Sequence, residues 1–222
     1  MITEKLHPAM VYCRQMNDVR DRLLAIPKSL LDKPGYRGLK ELMEIEPALL
    51  SLRKVLEQIA YASLMANEQV VRQKIQENTA KGKRIDVSQM THAKNILKEI
   101  ETLNPGFFPV PALLTGRNGN NIFIVSQESK PNTLSREDFV TLYDLCSHFL
   151  HVPNPFSLNV AVNFQRSLPE WLQRIRNLLE IHQVALIGGE FGIVEMGNWD
   201  GTTAAIFHHT GPADKEIPVW GR

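Results

Sequence analysis

The sequence predicts an α+β fold that is mostly α: an N-terminal helical bundle with a small C-terminal antiparallel β-meander. Three observations carry this. Residues 1–104 repeat apolar side chains at three- to four-residue steps, the period of an amphipathic helix. Pro105, Pro109 and Pro111 crowd the stretch 104–111 and forbid helix there. The last forty residues alternate short apolar runs with glycine-rich turns, as antiparallel strands do. Three regions follow: a helical bundle over 1–104, a Pro/Gly-rich linker with a short strand over 105–134, and 135–222 with two helices and a three-stranded meander.

Each element has its own reason. Ala9 to Ile26 places Val11, Met16, Val19, Leu23 and Leu24 at mostly helical spacing. Pro34-Gly35 is a turn. Pro47 suits the first turn of a second helix, where its missing N–H costs nothing. Leu49, Leu52, Leu56, Ile59, Leu64, Val71 and Ile75 extend that helix to about residue 80. Lys81-Gly82-Lys83-Arg84 ends it, since glycine and cations favour a helix C-terminus. Asp86 or Ser88 caps a third helix through Leu103. Asn118-Gly119-Asn120-Asn121 is a turn before the strand Ile122–Val125. Ser135 caps a helix to about His151, which Pro153 and Pro155 stop. Ser167-Leu168-Pro169-Glu170 is a capping box opening a helix to about His182. Val184–Ile187, Phe191–Met196 and Thr203–His208 are the meander strands.

Composition bounds the function. The chain has 222 residues, 43% hydrophobic and 22% charged, which excludes disordered, collagen-like and coiled-coil classes. The net charge of +1 gives no general argument for nucleic-acid or membrane-surface binding. That balance conceals a division. Residues 1–104 hold 17 Lys+Arg and 13 Asp+Glu, and residues 105–222 hold 8 and 11. Lys81, Lys83 and Arg84 are the one basic cluster, and a solvated helix end explains them. Cys13 and Cys146 cannot build a disulfide framework and are expected to be reduced, hence a cytoplasmic protein. No basic segment leads into an apolar one at the N-terminus, and no run approaches the ~18 apolar residues of a membrane span. No membrane partner is expected.

Catalytic and metal motifs are sparse. There is no Cys-x-x-Cys and no His-Glu-x-x-His. His148 and His151 lie three apart on one helix face, with Asp144 one turn before His148. Such a trio can ligate a metal or serve as a polar helix face. The second role is the reading adopted, and no metal or cofactor is expected. Gly188-Gly189 and Gly192 match no phosphate-loop spacing, and hairpin turns explain them. Cys146, among Leu142, Leu145 and Phe149, reads as a buried inert thiol. Phe107 and Phe108, between prolines, read as plugs of the core. Arg53 and Glu57 are one turn apart. They form a surface ion pair, or, if they face inward, require a further partner, for which His151 is the candidate.

Two segments carry a family resemblance. Arg-Lys-Val-Leu-Glu-Gln-Ile-Ala-Tyr-Ala-Ser-Leu-Met-Ala-Asn, residues 53–67, resembles the long helix of HEPN-like bacterial proteins. Tyr-Asp-Leu-Cys-Ser-His-Phe-Leu-His-Val-Pro-Asn-Pro-Phe, residues 143–156, is similar to a His-containing segment of their relatives. From these segments, Arg53, Glu57, Asp144, His148, His151 and Asn154 make a candidate polar cluster. The resemblance implies a helical bundle, often a homodimer, in a toxin–antitoxin or phage-defence system. Some members are metal-independent endoribonucleases and others are inactive scaffolds. The active members carry Arg, then four to six residues, then His, often with a polar residue after the Arg. Arg176-Asn177-Leu178-Leu179-Glu180-Ile181-His182 fits that spacing. The resemblance therefore implies Arg176, Asn177 and His182 as catalytic residues. Arg can hold a phosphate, and His can exchange a proton with a ribose hydroxyl. His182 also stands at an expected helix end, where it can cap the last carbonyls. Two functions are expected from this: an RNA-binding or RNA-cleaving protein, or a non-catalytic subunit that binds another protein or a second copy of itself.

Overall fold

The computed structural model describes residues 7–31, 38–66, 68–80, 93–118, 121–126, 130–150, 165–185 and 191–209. The first helix, α1 (Pro8–Leu24), begins as Pro8 and the cap His7 dictate: the His7 Nδ1 accepts from the Ala9 amide at 3.4 Å. Its core face is Ala9, Tyr12, Cys13, Met16, Val19 and Leu23, spaced by three and four. A single turn follows, α2 (Lys28–Leu31).

The next helix, α3 (Gly38–Ala66), starts nine residues before the Pro47 that was expected to open it. Pro47 lies inside it and removes one hydrogen bond. The helix continues through the proline because the core stripe does: Ile45 is buried on the same face as Ala48, Leu49 and Leu52. The long helix expected to reach residue 80 is two helices, α3 and α4 (Glu68–Ala80). The fifth helix is α5 (Ala93–Leu103), ending where expected. Its expected cap at Asp86 or Ser88, the turn at Pro34-Gly35 and the basic cluster at 81–84 lie outside the described residues.

The proline-rich stretch leads into strand. Two strands, β1 (Val110–Asn118) and β2 (Asn121–Ser126), pair antiparallel from Ala112↔Ser126 to Asn118↔Asn121. Only β2 was expected. A proline is tolerated near a strand's start, and Pro111 is the second residue of β1, opposite His182. The two expected capped helices form. The Ser135 Oγ accepts from the Asp138 amide at 3.0 Å, at the head of α6 (Arg136–Leu150). The Ser167 Oγ accepts from the Glu170 amide at 3.3 Å, at the head of α7 (Leu168–Leu179). The meander is β3 (Ile181–Ala185), β4 (Phe191–Glu195) and β5 (Ile206–His209). It belongs to a five-stranded antiparallel sheet in the order β2-β1-β3-β4-β5.

One cluster of buried apolar side chains joins the helices to the sheet, from Tyr12 and Leu52 to Trp171 and Phe207. Phe107 is fully buried and Phe108 half-buried, so the pair does plug the core. With Phe139 and Tyr143 they form a run of rings at centroid separations of 6.0, 6.0 and 6.4 Å. Arg20, buried on α1, donates from Nη1 to the carbonyls of Met196 and Asn198, each at 3.4 Å, and to that of Thr203. The Asn17 Oδ1 accepts from the Ala205 amide at 2.9 Å, so α1 holds the β4–β5 connection by two side chains. Among the described residues no helix is long and apolar enough to cross a membrane.

Candidate functional site

The predicted catalytic residues do not share a site. Helix α7 ends at Leu179, three residues before His182, which therefore belongs to β3. Burial alternates along that strand, and His182 falls on the inward face with Val184. It has no exposed surface. Its Nδ1 lies 2.8 Å from the Leu179 carbonyl oxygen, which can only accept, so Nδ1 carries the proton. Its Nε2 then accepts from the Tyr12 hydroxyl at 3.0 Å. Burial lowers the imidazole pKa to about 4 and raises that of the Tyr12 phenol. The ring is neutral, and both nitrogens are engaged. His182 does cap the last turn of α7, through the Leu179 carbonyl, but from the following strand and not from the helix end.

Arg176 stays on the helix. Its guanidinium lies 5.8 Å from the centroid of the half-buried Trp199 ring. Asn177 braces two segments, donating to the Asn132 carbonyl at 2.8 Å and accepting from Gln173 at 2.8 Å. Among the described residues no hydrogen bond joins Arg176 or Asn177 to His182. The chain changes from helix to strand between Leu179 and Ile181, so Arg176 and Asn177 belong to α7 and His182 to β3.

The polar cluster forms in part, around a residue the sequence reading passed over. Arg53 and Glu57 pair along α3 at 3.2 Å. Their shared partner is Tyr143 on α6. Arg53 Nη2 donates to the Tyr143 hydroxyl at 3.3 Å, and that hydroxyl donates to Glu57 Oε1 at 3.1 Å. The guanidinium also lies 5.1 Å from the centroid of the tyrosine ring. Tyr61, one turn past Glu57, has its phenol pushed up to about 12, first by burial and then by the neighbouring Tyr143 and Glu57. Asp144 and His148 are exposed, with His148 edge-on to Phe149. His151 and Asn154 lie outside the described residues. The Arg53–Glu57–Tyr143 triangle satisfies its members mutually and ties α3 to α6. Tyr143 could have been found from its spacing: it follows Phe139 by one turn, on the core face of a capped helix. Cys146, one turn after Tyr143, is fully buried, and burial pushes its thiol up to about 12, so it is inert. No group of three His, Cys, Asp or Glu among the described residues could hold a metal ion.

Two surface features remain. A cleft of about 300 Å³ lies at the head of α6, between the Phe108–Pro111 stretch and Leu178. Its cations are engaged already: Lys130 with Glu180 at 3.3 Å, and Arg136 with Glu101 at 2.9 Å. The other feature is the outer face of α3. Met43, Leu50 and Met65 are 60%, 43% and 48% exposed. At about 100° per residue they fall, with the exposed Pro47 and Lys54, within about 60° of one another around the helix axis. The buried stripe of Leu49, Leu52, Leu56 and Ile59 lies on the opposite side. The outer face of α3 therefore carries exposed apolar side chains, interspersed with the exposed Lys54, apart from the stripe that builds the core.

The chain matches no family model, no curated protein and no solved structure.

Proposed function

We propose that the chain is a non-catalytic, HEPN-like subunit of a bacterial toxin–antitoxin or phage-defence complex, and that it works by binding protein. The observation that carries the protein-binding reading is the group of exposed apolar side chains on the outer face of α3, Met43, Leu50 and Met65. Exposed methionine is enriched at binding surfaces, where its flexible side chain adapts to a partner. The placement of Arg176 and His182 supports the non-catalytic half. A general base must reach the proton it removes, and the buried His182 already spends both ring nitrogens on Tyr12 and Leu179. Both cysteines are buried free thiols, which supports the cytoplasm as the compartment.

The test has two arms. Purified protein incubated with RNA is expected to show no cleavage that Arg176→Ala or His182→Ala removes. The tagged chain, expressed in its own cells, is expected to hold a protein partner at fixed stoichiometry, and Leu50→Lys is expected to release it. RNA cleavage dependent on Arg176 and His182, or a chain that is monomeric and partnerless in those cells, would overturn the reading.

A further inference from the structure

We draw no further inference here: the strongest candidate, the cleft of about 300 Å³ at the head of α6, has its cations Lys130 and Arg136 already paired with Glu180 and Glu101, and nothing in the structure shows what fills it.

Discussion

His182 shows how burial changes what a side chain does. Its imidazole is held neutral because the core offers no solvation to a charge, and its two hydrogen bonds require one proton on Nδ1 and none on Nε2. The consequence for stability has a definite sign. The folded pKa, about 4, lies below the ordinary 6.5, so the unfolded chain binds the proton more readily. The stabilisation is fully present above pH 6.5 and is lost as pH falls through the window from 6.5 to about 4. The shift corresponds to a loss on the order of 3 kcal/mol. Urea unfolding across pH 4–8 is expected to show that fall in the wild type. His182→Gln keeps a polar group without the titration, and is expected to be less stable at neutral pH and to lack this component of the slope. Equal slopes in the two proteins would overturn the assignment. The role of His182 was legible in the sequence only as a choice between base and cap. Nothing in a local pattern shows that Tyr12, 170 residues away, supplies the other hydrogen bond.

At the scale of elements, the helices were legible and the joints between them were not. Apolar period and capping serines located α1, α6 and α7 because those signals are local. The start of α3 was misplaced because Pro47 reads as a helix opener, whereas Ile45 packs on the core side before it. Strand β1 was missed because two prolines outweighed the apolar residues after them, and its pairing with β3 is a contact across some seventy residues. Arg20 is a further case. An arginine on α1 reads as a surface residue, yet it is buried and holds the β4–β5 connection by three carbonyls. Arg20→Met keeps the aliphatic stem and removes the donors, so those carbonyls lose a charged partner within the fold. The expected cost is about 2–4 kcal/mol of unfolding free energy. Chemical denaturation measures it directly, and a change below about 0.5 kcal/mol, the range of an ordinary surface substitution, would show that the clamp contributes nothing.

At the scale of the molecule, the balanced net charge says little, and the exposure of one helix says more. Apolar period alone does not separate the outer side chains of α3 from its core stripe, since a helix rich in apolar residues blurs the period. Exposure separates them: Met43, Leu50 and Met65 face outward, and Leu49, Leu52 and Leu56 face the core. Apolar contacts are not screened when the Debye length shrinks from about 10 Å at 0.1 M salt to about 3 Å at 1 M. A protein partner held on this outer face is therefore expected to stay bound through a wash at 1 M salt, and to be lost in Leu50→Lys at either salt. Quantified co-purification at the two salt concentrations checks this. Retention at 1 M would place the contact on the apolar side chains, and release by salt alone would place it on charged groups elsewhere.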